Sequence, residues 1–152
     1  MTPNRAASPH AATPPENNLT ALFREALRRG RQLNIRARGH SMRPLIPDGS
    51  IVEVRPMSGR LRIGDIVAAQ RGQRLYIHRV HAVEPMVLLW GDGNRRPDRS
   101  FQDSDILGRV HRIRTPAGWH LRLDTRAATA SGQLIVRFVQ LRARLHALRH
   151  LS

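Results

Sequence analysis

Three kinds of side chain that together could hydrolyse a peptide bond lie in separate segments of the chain. Ser41 lies in a turn bracketed by glycine and proline, His78 lies in an apolar run, and Asp92 and Asp98 follow in a glycine-rich turn. A serine hydroxyl is a weak nucleophile unless an adjacent base takes its proton, and imidazole suits that role. A carboxylate can fix the tautomer of the imidazole. Together these residues could carry out acyl transfer, with either aspartate as the acid, if the fold brings them into contact.

The basic residues restrict which group could act as the base. All 26 residues counted as lysine plus arginine are arginine. Arginine stays protonated at any working pH, and no lysine amine is present to replace it. The base must therefore be a histidine or a carboxylate. The absence of cysteine excludes disulfides and thiolate metal sites.

The turn around Ser41 suits a nucleophile. Gly39 allows a close backbone approach, and Pro44 keeps the residues before it out of a helix. Backbone N–H groups in such a turn can face a developing oxyanion. Gly39, Met42 and Pro44, which flank the serine, are the predicted substrate contacts. Taken alone, however, a serine between glycine and proline is usually only a turn.

Short strands should position these residues. Alternating or apolar runs bounded by glycine, proline and aspartate predict a mainly β domain, either a folded sheet or a partly open barrel. A last hairpin is expected through residues 119–123. The other predicted strands cover residues 33–38, 51–54, 65–69, 74–83, 86–90 and 107–113.

A helix is expected at each end of the domain. We predict a disordered tail over residues 1–18, an amphipathic helix over 19–29 closed by Gly30, and a β domain over 31–125. The basic C-terminal segment, 126–152, contains a helix over about 133–149 with a narrow apolar stripe. We expect the stripe to pack on the β domain or on a partner protein, with an anionic membrane surface as the other possibility.

Five short motifs, in one order, resemble the signal peptidase I family of serine peptidases, within a superfamily that includes LexA-like self-cleaving repressors. The resemblance covers residues 33–113 and is closest to the Ser-His-Asp branch of the endoplasmic reticulum and archaea. The family motifs are G-x-S-M-x-P, I-G-D-I-V, I-x-H-R-V, G-D-N-N-x-x-x-D and I-L-G-R-V. They match residues 39–44, 63–67, 76–80, 91–98 and 106–110.

The resemblance implies a role for each matching residue. Ser41 would be the nucleophile, His78 the general base, Asp98 the orienting acid and Asp92 a supporting or alternative acid. It also implies signal-peptide processing, with small residues before the cleaved bond. Two residues depart from the family pattern, although neither is an assigned catalytic position. Gly93 stands where the family has its first Asn, and Ser50 stands where the last Asp of the family's D-G-D turn lies.

The charge and the histidine spacing bear on partners and cofactors. The net charge of +15 favours an anionic partner. Nucleic acid is not the expected partner, because the arginines are scattered and no helix-turn-helix precedes the domain. His78 and His81 would face opposite sides of a strand, so we expect no metal and no cofactor.

Two functions from different classes remain open at this stage. One is a serine endopeptidase; the other is a catalytically inactive module that binds a peptide or an anion, or assists maturation, on the same β fold.

No apolar run reaches the roughly 20 residues of a membrane span, and we find no secretory signal. We therefore expect a cytoplasmic or peripherally membrane-associated protein.

Overall fold

Within residues 16–149, seven antiparallel strands form one open sheet, flanked by two α-helices. The computed structural model describes residues 16–149, with the side chains of 16–18 excepted. The helices are α1 (Glu16–Arg28) and α2 (Arg126–Arg149). The strands are β1 (Leu33–Arg36), β2 (Ile51–Pro56), β3 (Ile66–Arg71), β4 (Arg74–Ala82), β5 (Leu88–Trp90), β6 (Ile106–Arg114) and β7 (His120–Arg122).

The sheet confirms the predicted fold class. Its order is β1-β2-β6-β3-β4-β5, and β7 pairs with the end of β6. β3 pairs with the first part of β6, and β7 pairs with the last part of it. In the part of the chain that the structure describes, the sheet does not close into a barrel. Every predicted strand is present, with ends that differ from the prediction by one or two residues in most cases.

Apolar side chains cover both faces of the sheet. Along β3, Ala68 belongs to one buried cluster, whereas Val67 and Ala69 belong to another. This alternation follows from the two-residue period of a strand. The first cluster also contains Leu27 of α1, which explains how that helix is held against the sheet. Most buried members of both clusters are aliphatic, in agreement with the low aromatic content of 4%, and Phe101 is the aromatic exception.

The N-terminal helix begins earlier than predicted. It starts at Glu16 and ends at Arg28, so residues 16–18 are helical although they were assigned to the tail. Gly30 follows with φ of +78°, the conformation expected of a glycine that closes a helix. The rest of the predicted tail, residues 1–15, lies outside the described residues.

The C-terminal helix packs on the sheet by a face that the sequence did not indicate. Its buried residues are Gly132, Val136 and Val139, whereas the predicted stripe points outward. Gly132 and Gly64 make a close backbone approach: a Cβ on Gly132 would lie 2.7 Å from the carbonyl oxygen of Gly64. The expectation that the stripe packs on the β domain is therefore wrong.

The helix also starts at Arg126, seven residues before the predicted position. Within residues 16–149, neither helix is long and apolar enough to cross a membrane.

Candidate active site

His78 lies in the middle of β4 and is almost fully buried. It pairs with Val67 of β3, and alternation puts its side chain on the same face as Tyr76. The two rings meet edge to face with centroids 5.8 Å apart. These contacts restrict the orientation of the imidazole ring.

The imidazole of His78 connects Ser41 to Asp98. Its Nε2 lies 2.9 Å from the hydroxyl oxygen of Ser41, and its Nδ1 is hydrogen-bonded to Oδ2 of Asp98. An ionised carboxylate only accepts hydrogen bonds, so Nδ1 must be the donor. The lone pair of neutral imidazole then lies on Nε2, where it accepts the hydroxyl proton of Ser41. This arrangement can transfer a proton from serine to histidine.

Asp98 is held in place by the backbone of the neighbouring strand. Its N–H donates to the carbonyl oxygen of Leu89 in β5 at 3.0 Å. β5 pairs with β4 beginning at Arg79, next to the histidine. The loop that follows β5 therefore folds back along β5, with Phe101 bridging to Val87, and brings the carboxylate of Asp98 to His78.

The turn containing Ser41 rests directly on the glycine-rich turn. The N–H of Gly93 donates to the carbonyl oxygen of Ser41 at 2.8 Å, and a Cβ on Gly91 would overlap the same oxygen. On the other side, Asp48 accepts the N–H of Gly39 at 2.7 Å. Glycine is required at position 91 because any side chain would push the nucleophile turn away.

The backbone of the nucleophile turn leaves donors available near the hydroxyl. Among residues 16–149, the N–H groups of Ser41 and Met42 have no hydrogen-bond acceptor, whereas that of Arg43 donates to the carbonyl oxygen of His40. Met42 is buried, and its sulfur accepts the N–H of Asp92 at 3.4 Å. The turn is thus anchored by Met42 while the serine stays half-exposed.

Asp92 was predicted as a supporting or alternative acid for His78, but it binds Arg79. Both of its carboxylate oxygens accept from Arg79, at 2.8 and 2.7 Å, and the guanidinium also donates to Gly64. Both side chains are buried, with 3% and 4% exposure. Asp98, not Asp92, takes the position behind His78. Adjacent residues of a strand face opposite sides, so Arg79 and His78 reach different parts of the loop.

Arg79 was not among the predicted site residues. A signal for it exists, because an arginine between Ile77 and Val80 in an apolar strand is buried and requires a carboxylate partner. Asp92 is that partner.

His81 is buried without a hydrogen-bond partner for either ring nitrogen in the described structure. Its ring lies against Trp90, with centroids 5.1 Å apart. Burial lowers the pKa of His81 to about 4; the charge of Asp92 opposes the shift, and that of Arg79 adds to it. His81 is therefore neutral near pH 7.

The described residues contain no group of three metal-ligating side chains.

A cleft of about 570 Å³ opens beside the serine. Its walls are the end of β1 with the residues after it and the first half of β4. Ser41, His78 and Asp98 line it, as do the predicted contacts Gly39 and Met42. Pro44 does not: it lines a separate groove on the other side of the turn.

Comparison with known proteins identifies the family. The model of the family described as peptidase S24-like matches residues 6–111, more than half of the chain. The chain belongs to the peptidase S24-like family. No curated protein matches the chain. The peptidase S24-like match contains all three segments that meet at His78 and ends within β6.

Proposed function

We propose that the protein is a serine endopeptidase that uses Ser41, His78 and Asp98. The observation that carries the proposal is the hydrogen-bonded chain from Ser41 through His78 to Asp98 at the edge of an open cleft. An inactive binding module would not need this series of hydrogen bonds. Asp92 would act indirectly, by holding Arg79 and the loop against which the serine turn packs.

The reaction would proceed through an acyl-enzyme. The hydroxyl oxygen of Ser41 attacks the peptide carbonyl while Nε2 of His78 takes the hydroxyl proton. The oxyanion is stabilised by the available N–H of Ser41. Nε2 then donates the proton to the leaving amine, and the C–N bond breaks. Water, deprotonated by His78, hydrolyses the ester and restores the serine.

The cleft favours an extended peptide as the substrate. In the described structure, β5 pairs with β4 only from Arg79 onward, and β1 pairs with β2. The first half of β4 and the outer edge of β1 therefore offer backbone groups to a peptide between them. The resemblance to signal peptidases adds a preference for small residues before the cleaved bond and a signal-peptide-like substrate.

Incubation with a peptide library, analysed by mass spectrometry, tests the proposal. We expect cleavage by the wild type and a loss of roughly 10⁴-fold or more in Ser41→Ala and His78→Ala. Ser58→Ala, which alters an exposed serine, is the matched control and should retain full activity. Wild-type rates in either site variant would exclude this mechanism. Binding of peptides without cleavage by the wild type would support the inactive module.

A further inference from the structure

The outward face of α2 is apolar, although the helix buries a different apolar face. Side chains on it are 54% to 65% exposed. Monomeric proteins rarely expose contiguous apolar surface of this kind unless it binds something. We call this set the outer stripe; its members are Leu134, Phe138, Leu141, Leu145 and Leu148.

The spacing of the outer stripe is that of a coiled-coil seam. Its members follow one another at intervals of four, three, four and three residues. At 100° per residue they lie within about 40° of one line along the helix. Phe138 and Leu145 occupy a positions, and Leu141 and Leu148 occupy d positions. Such a narrow stripe suits one partner helix better than a broad apolar surface.

Arginines border the outer stripe on both sides. Arg137 and Arg144 occupy g positions, and Arg142 and Arg149 occupy e positions, about 60° to 80° from the stripe. Between residues 126 and 149 the helix has no acidic residue. Residues at e and g positions determine which helix can pair, so this seam selects acidic residues on the partner.

The stripe continues into a groove. A space of about 860 Å³ separates α2 from the hairpin before β7 and is lined by Trp119, Leu121, Ile135 and Phe138. Trp119 is 73% exposed. A second depression of about 290 Å³ shares Phe138 with the first and extends to Leu145. The apolar surface is therefore concave and continuous along the helix.

We propose that the outer stripe and its groove bind an acidic amphipathic helix of a partner protein. A second copy of this chain is disfavoured, because arginines at e and g would face arginines in either helix orientation. A flat bilayer would leave the groove unfilled. The seam spans only two heptads, so helix pairing needs the added contact with Trp119 to reach roughly micromolar affinity.

The bound helix would lie next to the active site. Arg142 donates to the carbonyl oxygens of Asp92 and Asn94, in the loop that supports the serine turn. The groove also includes Pro44 and Leu45, which directly follow that turn. The proposal does not depend on catalysis, because docking requires only the surface of α2 and the hairpin.

A designed peptide of about three heptads, with Leu at a and d and Glu at e and g, is the probe. Fluorescence anisotropy measures its binding to the full-length Ser41→Ala protein, which prevents cleavage. A peptide with Lys in place of Glu is the control; neither peptide pairs with itself, because its e and g charges repel. We expect the Glu peptide to bind at least about tenfold more tightly than the Lys peptide.

Charge reversal on the protein supplies the matched test. The triple variant Arg137→Glu/Arg144→Glu/Arg149→Glu should invert the preference between the two peptides. A control triple variant, Arg28→Glu/Arg31→Glu/Arg60→Glu, changes the net charge equally at exposed sites outside α2 and should keep the preference.

Four outcomes would overturn the proposal. The first is equal binding of the two peptides. The second is an equal loss of the preference for the Glu peptide in both triple variants. The third is a dimer in sedimentation that Phe138→Ser dissociates, which would identify a second copy as the partner. The fourth is binding to phosphatidylserine vesicles without binding to the Glu peptide, which would identify a membrane surface.

Discussion

His78 and Arg79 are neighbours on β4, yet each binds a different aspartate of the same loop. His78 contacts Asp98, which lines the cleft, and Arg79 binds Asp92 in the interior. One loop thus supplies both an acid for the proposed catalytic chain and a buried counter-ion. The two aspartates should therefore respond differently to the same substitution.

Asp98→Asn should reduce turnover by about 10²- to 10⁴-fold with little change in folding. The amide can donate to Nδ1, which favours the wrong imidazole tautomer and leaves Nε2 unable to accept the serine proton. Steady-state kinetics on a cleaved library peptide measures the change in turnover. In proton NMR spectra, the low-field resonance of the His78 Nδ1–H should disappear. Asp103→Asn, at an exposed carboxylate, is the control. Unchanged turnover in Asp98→Asn would remove this residue from the catalytic chain.

Asp92 should matter for stability. Asp92→Leu or Arg79→Met leaves one buried charge unpaired and should lower the free energy of unfolding by about 3–5 kcal/mol. The double variant should lose much less than the sum, because neither charge remains. Urea denaturation of the four proteins measures the coupling. Additive losses would mean that the two side chains stabilise the fold independently.

Stability should fall in acid because of His81. Its pKa is about 4 in the folded protein and 6.5 in an unfolded chain. Between these two pKa values the unfolded chain binds more protons than the folded protein. The free energy of unfolding therefore decreases as pH falls from about 6.5 to 4. The loss amounts to about 3 kcal/mol. Denaturation at several pH values should show this slope.

His81→Leu removes the titrating group and keeps an apolar side chain beside Trp90. Its slope between pH 6.5 and 4 should be flatter than that of the wild type. His120→Leu, at an exposed histidine, is the control and should keep the wild-type slope. An equal slope in His81→Leu would assign the acid sensitivity to other groups.

Gly91→Ala should reduce activity because it displaces the serine turn. Its new Cβ overlaps the carbonyl oxygen of Ser41, so the serine turn must move. A displacement near 1 Å can reduce turnover by about 10²-fold. Gly59→Ala is the matched control: nothing lies within 4 Å of its Cβ, but its φ of +67° strains alanine by about 1 kcal/mol. We expect kcat/KM to fall only in Gly91→Ala. Full activity there would show that the turn tolerates the shift.

The strand pattern and the residue types of the site were readable in the sequence. The period of two in a strand is local, so the run around Ile35 revealed its conformation directly, and short apolar runs bounded by turn residues did so around Val52 and Val67. Ser41 and His78 were predicted as nucleophile and base from the motifs that resemble signal peptidases, and the absence of lysine agrees with a histidine base. The arginine in an apolar strand was also readable as a residue in need of a carboxylate, although its partner was not.

Only the tertiary structure decided which carboxylate lies behind His78 and which face of α2 is buried. Asp92 and Asp98 lie in one loop, and choosing between them depends on the path of that loop back along β5. Likewise, α2 has two apolar faces, and the close approach of Gly64 to Gly132 selects the one that packs. Composition and periodicity act over a few residues. These two choices depend on contacts between segments far apart in the chain, and such contacts exist only after the sheet has formed.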